Sequence, residues 1–356
     1  MQMDAETRTR RWSALQDKAA EIQTAAALGH AADALEDMDA KVNALTDKVR
    51  QLRAQGYRYA KVLDAQVAQI AQDWPTTRRQ AQDVLTQRRG DLRDLNASLS
   101  RILAQGQRAT TEAEMDAAKD ALDRLEDRID QAERDVEGAF DGFSKRVDKT
   151  AHEIEHLLWA SDQWAKISFD PYPEEALVDA CEAQWLIRDD EGPKGVLFLT
   201  DARLIMEQKE KIATKKVLFI ATEKKLVQNL QFAAPIGAVE VQESVDARGG
   251  FLGLGTRELL TLKFTAATEG KRISQAKLRL FHGADNDQWA ARIKQVQRGD
   301  LTQEAIDAQA DGKTTEETSP HDIPTHCPAC GALFTQPVVK GMRELRCEYC
   351  GAVVRL

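Results

Sequence analysis

Apolar residues recur every seven positions through much of the first 168 residues of this 356-residue chain. In one stretch a second apolar series follows the first by three positions, which places both series on one side of a helix. The two series are Leu28, Leu35, Val42 and Val49, and Ala31, Met38, Leu45 and Leu52. This spacing is the a/d seam of helices that supercoil around one another. It predicts an all-α coiled-coil region over residues 1–168.

Two breaks divide this region into three predicted helices. Pro75 lacks a backbone donor and clashes with the preceding turn, so we expect the first helix to span about 5–73. A second helix is predicted over about 77–104, and a third over 111–168, where Thr111 and Glu114 form a capping box. Short breaks favour antiparallel neighbours, which predicts a rod made of a helical hairpin or a three-helix coiled coil. Its exposed seams predict a homo-oligomer.

The hydrophobic period changes to two after the proline-containing segment FDPYPEE at 169–175. Two strands joined by a tight turn are predicted in GVLFLTDARLIMEQ at 195–208, and Cys181 is expected to be a buried small residue in or beside an earlier strand. A last amphipathic helix is predicted after Asp285, its N-cap. The other strand candidates are 215–221, 227–232, 238–245, 258–266 and 276–283.

GVLFLTDARLIM, the later PIGAVEVQESV and the final helix with Trp289 resemble a bacterial pleckstrin-homology (PH) or GRAM-type domain over residues 175–298. The resemblance implies an α+β barrel made of a strongly bent sheet. In such domains the C-terminal helix plugs one open end of the barrel. It also implies a module that binds a surface or a peptide.

The end of the chain carries the sharpest chemical signal. Residues 299–325 are acidic and poor in large apolar groups, which predicts a flexible linker. In the following segment, 326–356, Cys327-x-x-Cys330 and Cys347-x-x-Cys350 are separated by sixteen residues. That is the spacing of a structural zinc site with four thiolate ligands. A redox dithiol and four unrelated reduced cysteines are the alternatives.

The Cys-Pro-x-Cys-Gly and Cys-x-Tyr-Cys-Gly sequences resemble the knuckles of the zinc-ribbon family. The resemblance implies a small β domain that holds one structural Zn²⁺. Four thiolates fill a tetrahedral shell, so we expect a structural rather than a catalytic ion. The segment is too short to build a core, and metal binding should supply folding free energy on the order of ten kcal/mol. We predict that this ribbon docks on a protein partner.

A second metal-binding pattern lies on the third predicted helix. His152, Glu153 and His156 match the His-Glu-x-x-His sequence of zinc peptidases, in which two histidines share a helix face and the glutamate acts as general base. Glu155, however, places a carboxylate where these helices are normally uncharged. The flanking residues continue a charged amphipathic helix. We therefore interpret the pattern as a solvated helix face and keep the peptidase as a minor alternative.

Two stretches of the middle domain are candidates for partner contact. The first is a lysine series, which would attract anionic lipid head groups: Lys209, Lys211, Lys215, Lys216, Lys224 and Lys225. The second is ARGGFLGLGTRE, whose apolar residues would insert shallowly into a membrane or a groove if they form an exposed hairpin tip. Its contact residues are Phe251, Leu252 and Leu254, rimmed by Arg248 and Arg257. Ordinary solvated strand ends, and a loop folded back over the barrel, are the respective alternatives.

Charge and cysteine usage limit the class of protein. The formal net charge is −9, which argues against a protein that coats nucleic acid. Four of the five cysteines lie in the tail, which is typical of a reducing compartment. No apolar leader and no run of about 20 apolar residues are visible in the sequence. We expect a bacterial cytoplasmic protein whose membrane contact is peripheral, at the inner membrane.

These features predict a non-enzymatic scaffold. The coiled coil would self-associate, the PH-like module would contact the inner membrane surface, and the ribbon would dock on a protein. A purely protein-binding adaptor without membrane contact is the main alternative. The salt dependence of binding distinguishes the two hypotheses, because attraction between lysines and lipid weakens as ionic strength rises, whereas docking of apolar groups does not.

Overall fold

The structure, a computed structural model, describes residues 2–188, 190–217, 220–248, 256–303, 324–336 and 338–356. The chain forms two compact units. The first contains Met1–Lys48 and Asp64–Glu153, and the second contains Val49–Leu63 and Ile154–Leu356.

Six helices form the N-terminal half, where the sequence predicted three. They are α1 (Ala5–Ala25), α2 (Gly29–Ala54), α3 (Lys61–Asp91), α4 (Leu95–Arg108), α5 (Glu112–Gly138) and α6 (Asp141–Trp164). The predicted capping box is present at the start of α5, where the Thr111 hydroxyl accepts a hydrogen bond from the amide of Glu114. Each predicted long helix is therefore interrupted by at least one short turn that heptad spacing does not reveal.

The prediction of a helix break at Pro75 is wrong. Pro75 lies inside α3, and the chain reverses instead between α2 and α3, where Gly56 adopts a φ of +86°. Proline removes one hydrogen bond from the helix, and the residue before it makes tertiary contacts that hold this part of α3 in place. The Trp74 ring stacks on Phe143 of α6 at 5.1 Å between centroids, and its indole N–H donates to Asp39 of α2.

The heptad seams are buried inside the chain. In the first unit, α1, α4 and α5 pack against one another, while ion pairs such as Arg78–Asp39 and Arg146–Asp73 join the other three helices. All eight residues of the two heptad series, from Leu28 to Leu52, are at most 5% exposed. The argument that exposed seams drive self-association therefore loses its basis.

The second unit is built on an eight-stranded antiparallel sheet. Its strands are β1 (Leu177–Leu186), β2 (Lys194–Thr200), β3 (Arg203–Val217), β4 (Ile220–Pro235), β5 (Val239–Arg248), β6 (Thr256–Phe264), β7 (Glu269–Gly270) and β8 (Gln275–Leu280). They lie in the order β5-β6-β8-β1-β2-β3-β4-β7. The sheet is open, which corrects the predicted barrel: among the described residues β5 and the two-residue β7 are edge strands that do not pair with each other.

Helices cover both faces of this sheet. The last helix, α7 (Asn286–Arg298), begins at the predicted N-cap Asp285 and packs Trp289 and Ile293 into one core. The end of α6 covers the other face with Trp159 and Trp164. Burial on both faces explains why β2 reads as a continuous apolar run rather than an alternating one. Cys181 is buried in β1, where desolvation raises the pKa of its thiol well above the usual range.

The helix-to-helix turn after α2 belongs to this second unit. The Tyr57 hydroxyl donates to the carbonyl of Val178 at 2.9 Å, and the Tyr59 hydroxyl donates to Asp201 at the same distance. These tyrosines attach the turn to the sheet. The remaining elements, β9 (Glu344–Arg346) and β10 (Val353–Arg355), pair antiparallel near the C-terminus.

Candidate metal centre and basic hairpin

The four tail cysteines converge on one point. Their sulfur atoms all lie within 4.8 Å of one another, with Cys327–Cys350 at 3.7 Å and Cys330–Cys347 at 3.5 Å. Four sulfurs placed tetrahedrally about 2.3 Å from a central ion would be about 3.8 Å apart. The cluster therefore has the dimensions of a four-thiolate metal site, as the sequence predicted.

Two matching turns position these sulfurs. In the first, the amide of Gly331 donates to the carbonyl of Cys327 at 2.8 Å; in the second, Gly351 donates to Cys347 at 2.9 Å. Both glycines have a φ of +75°, a conformation that a side chain would disfavour. The glycine that follows each Cys-x-x-Cys pair thus closes the turn that brings its two thiols together.

The turns also favour the thiolate that a metal requires. The pKa of Cys347 falls to about 7, because the backbone amides of Cys350 and Tyr349 donate to its sulfur. The pKa of Cys330 rises to about 12 in the same cluster: hydrogen bonds with the sulfurs of Cys350 and Cys347 outweigh the amide of Ala332. One thiol of the cluster is therefore prepared to lose its proton near neutral pH. A bound cation would favour ionisation of the others.

The tail, residues 324–356, contacts the sheet directly. We call these residues the ribbon. The amide of Gly237 donates to the carbonyl of Lys340 at 2.9 Å, and the Lys340 ammonium donates to the carbonyl of Val296 in α7 at 2.5 Å. The predicted flexible linker, 299–325, lies largely outside the described residues. That prediction therefore stays untested, while the described residues of the ribbon contact the sheet unit.

The His-Glu-x-x-His pattern does not assemble a metal site. His156 Nε2 lies 2.7 Å from a carboxylate oxygen of Asp179 in β1, while His152 and Glu153 are exposed. Among the described residues, the four cysteines form the only group of three or more metal-ligating side chains close enough to share an ion. The described residues therefore provide no third metal ligand for the peptidase alternative.

The lysine series is gathered on one hairpin. Four of the six lysines lie on β3 and two on β4, which are joined in antiparallel register from Arg203–Pro235 to Val217–Ile220. β2 pairs with β3 only as far as Gln208, and β7 pairs with β4 only at Phe232 and Ala233. The outer part, residues 209–217 and 220–228, therefore has no flanking strand among the described residues. We call it the basic hairpin.

The basic hairpin presents apolar side chains between its lysines. Ile212 is 43% exposed and Leu226 is 49% exposed. Lys211 is the direct partner of Leu226, and Ile212 is the partner of Lys225, so each face of the hairpin carries one exposed lysine beside one exposed apolar residue. Sequence analysis missed these two apolar residues. Their alternation with lysine was visible, but the register that pairs them was not.

One predicted lysine contact is already used within the chain. The ammonium of Lys209 donates to Gln163 of α6 at 2.9 Å, at the base of the basic hairpin. The structure gives the strand positions of Lys215, Lys216 and Lys224, whose side chains lie outside its description. Lys211 and Lys225 are therefore the lysines of the series that the structure shows to be exposed.

The second predicted contact region connects β5 to β6. Phe251, Leu252 and Leu254 lie outside the described residues, as does the side chain of Arg248. Arg257 is described, and its guanidinium forms an ion pair with Asp190 at 2.6 Å. This arginine therefore has a partner within the chain.

Comparisons with known proteins give only remote similarity. Neither a protein-family model nor a curated protein matches the chain. Among solved structures it is similar to the PDZ-RhoGEF DH/PH domains in complex with GTP-γ-S-activated RhoA, with 10% identity, a TM-score of 0.28, and coverage of 81% of this chain and 94% of that one. The N-terminally truncated linker-DH/PH domains of p115-RhoGEF give 14% identity, a TM-score of 0.24, and coverage of 82% and 96%.

Similarity this remote carries no inference about fold or activity. One further observation concerns membranes. No helix in the described part of the chain is long and apolar enough to cross a bilayer.

Proposed function

We propose that this protein is a non-enzymatic scaffold that attaches peripherally to an anionic membrane surface through the basic hairpin, with a zinc-stabilised ribbon as a second interaction module. The single observation that carries this proposal is the concentration of the lysine series on one hairpin that also exposes Ile212 and Leu226. The membrane we favour is the inner face of the bacterial cytoplasmic membrane.

Charge and geometry both support membrane attachment. Residues 209–228 contain six lysines against two glutamates, in a chain whose net charge is −9. Each cation near an anionic surface contributes about 1 kcal/mol, and neighbouring apolar side chains add binding where they leave water. A hairpin without flanking strands can approach a flat surface more closely than the middle of a sheet.

The ion that fits the ribbon best is Zn²⁺. Zinc accepts four thiolates tetrahedrally without a preference imposed by d electrons, and Cys327, Cys330, Cys347 and Cys350 supply those ligands. The full shell leaves no position for a substrate or water. A bound ion would therefore act by holding the two turns together.

Vesicle flotation of the full chain tests the membrane proposal. We expect binding to phosphatidylglycerol-containing vesicles at low salt, little binding to neutral phosphatidylcholine vesicles, and a decline as salt rises. Lys211→Glu combined with Lys225→Glu should weaken binding by at least about tenfold, because two attractive charges become repulsive. Lys277→Glu is the control for a single charge reversal, to be compared with Lys211→Glu alone: it reverses an exposed lysine of β8, away from the hairpin.

An equal loss of vesicle binding in the hairpin variant and the β8 control would mean that binding depends on overall net charge. That result would contradict a hairpin site. Binding to neutral vesicles that is insensitive to salt would contradict it as well. Circular dichroism of both variants should match the unmodified chain, since all three lysines are exposed.

A protein-binding adaptor is the second candidate, and one observation favours it. Three large apolar residues of the ribbon remain exposed although the ribbon is docked: Leu333 at 58%, Tyr349 at 72% and Val353 at 53%. Exposed aromatic and aliphatic residues are common anchors of protein interfaces. Failure of flotation under every condition, with retained zinc, would favour this function over membrane attachment.

A further inference from the structure

The turn between the two cysteine pairs lies against the sheet. Its backbone makes an intermodular hydrogen bond, from the Gly237 amide to the Lys340 carbonyl, at 2.9 Å. Gly237 lies in a single turn of 3₁₀-helix between β4 and β5. Backbone hydrogen bonds of this kind require the two segments of the chain to approach within van der Waals distance. The hydrogen bond therefore fixes the relative position of the two segments, which side-chain contacts alone would not do.

Glycine is required on both sides of this contact. A Cβ at Gly341 would lie 1.8 Å from the carbonyl oxygen of Ala202, in the turn between β2 and β3. A Cβ at Gly237 would lie 2.6 Å from the backbone nitrogen of Lys340 and 3.0 Å from Cβ of Val339. Distances this short do not occur between real side chains and backbone. The two surfaces thus fit only without these side chains.

Two cationic side chains extend the contact. The Lys340 ammonium donates to the carbonyl of Val296, which also accepts the C-cap amide of Gly299, within the last turn of α7, where the helix dipole favours a positive charge. Arg343 donates to the carbonyl of Pro173 at 3.3 Å, and its guanidinium lies 5.8 Å from the ring of Tyr172. The ribbon therefore touches four separate parts of the second unit: the 3₁₀ turn, the β2–β3 turn, α7 and the segment before β1.

We infer that the ribbon is a metal-dependent clasp: it stays docked on the sheet, holding the 3₁₀ turn and the end of α7, only while its four thiolates hold an ion. The docking turn, Val339–Met342, lies between the two cysteine pairs and is closed by a bond from Met342 to Val339 at 3.1 Å. A segment of this size has too little core to hold that turn in place without its metal.

The clasp couples the metal to the main domain. Loss of the ion would release Lys340 from α7 and expose the Gly237 amide. Metal availability or thiol chemistry would in this way change a surface of the sheet unit. This inference rests on the metal site of the proposed function and is independent of membrane attachment.

Amide hydrogen exchange at Gly237, resolved by NMR in the full chain, tests the inference. With zinc bound, this amide should be protected, because its described acceptor is in the ribbon. Chelation with EDTA should accelerate its exchange by about tenfold or more. The Phe281 amide is an internal control: it donates to the carbonyl of Glu182 within the sheet unit, at 3.0 Å, and its exchange rate should change much less.

Two variants release the clasp from opposite sides. Gly341→Ala acts on the ribbon, and Gly237→Ala acts on the sheet without changing the ribbon sequence. Both should keep one zinc per chain while the amide of residue 237 exchanges faster. Gly56→Ala is the matched control for backbone strain: Gly56 has the same φ of +86° as Gly341, but a Cβ there meets nothing within 4 Å. It should leave the exchange at Gly237 unchanged.

The outcomes separate the clasp from the metal site. A purified chain that binds no zinc when zinc is supplied would contradict the metal site, and the clasp with it. A chain that binds zinc but exchanges the Gly237 amide at the same rate with and without the ion would contradict the clasp alone. The clasp would also be contradicted if both glycine variants kept this amide as protected as in the unmodified chain.

Discussion

At the scale of single residues, the most constrained group is the guanidinium of Arg203. It is 2% exposed and forms two hydrogen bonds with Glu175, whose side chain is fully buried, at 2.6 and 3.0 Å. It also pairs with Glu269 at 2.9 Å and lies 3.7 Å from the ring of Tyr172. Two buried charges are tolerated here because nearly every polar atom has a partner.

Removing the arginine should therefore be severe. Arg203→Met would leave the Glu175 carboxylate buried without its cation, which costs about 3–5 kcal/mol in the free energy of unfolding. Urea unfolding followed by circular dichroism measures the change. Arg257→Met is the matched control, since its partner Asp190 is 60% exposed and the pair should contribute at most about 1 kcal/mol. Equal effects of the two substitutions would contradict the structural importance of the buried pair.

At the scale of elements, helix starts are encoded locally and helix interruptions are not. The capping box of α5 needs only Thr111 and Glu114, three residues apart, and both were identified in the sequence. The turn at Gly56 and the continuous helix through Pro75 depend on which side chains pack around them. Heptad spacing alone cannot supply that information, because it describes one face of one helix at a time.

The capping box predicts a pH dependence. The pKa of Glu114 is below its ordinary value of 4.5, because the amides of Thr110 and Thr111 donate to its carboxylate. A carboxyl group with a lowered folded pKa stabilises the protein above about 4.5, and this contribution disappears as the pH falls through the folded pKa. We therefore expect Glu114→Gln to lower the unfolding midpoint at neutral pH and to have a diminishing effect under acid conditions.

Glu137→Gln is the control for that measurement, because it removes an exposed carboxylate from the other end of the same helix. Thermal unfolding of both variants between neutral and acid pH would show the difference. A Glu114→Gln effect that stayed constant, or grew, as the pH fell would be inconsistent with the carboxylate acting as a cap.

At the scale of the whole molecule, most of the large apolar side chains of the described residues are buried. The heptad series that predicted self-association is buried within a single chain, and so are both faces of the sheet outside the basic hairpin. The large apolar residues that stay exposed include Ile212 and Leu226 on the basic hairpin and three residues of the ribbon. These side chains are scattered, and each apolar area they expose is smaller than the apolar surface of a coiled-coil seam.

This distribution predicts a monomer. Light scattering of the full chain, over a roughly tenfold range of protein concentration, should give one mass, equal to that of a single chain of 39.7 kDa. A mass that rises with concentration would show that another surface associates. Ile212→Asp and Val353→Asp would then test the hairpin and the ribbon in turn, with Val62→Asp as a control at an exposed position of α3.

The sequence by itself determined the local features: the helical half, the strand-rich half, the capping box of α5 and the four cysteines. Each depends on residues within a few positions of one another or on a spacing that metal chemistry recognises. The tertiary structure decided which surfaces remain free. Sheet order left the barrel open, helix packing buried the heptad seams, and the close fit of two glycines docked the ribbon on the sheet. Contacts between distant segments depend on shape, and no local pattern in the sequence records that shape.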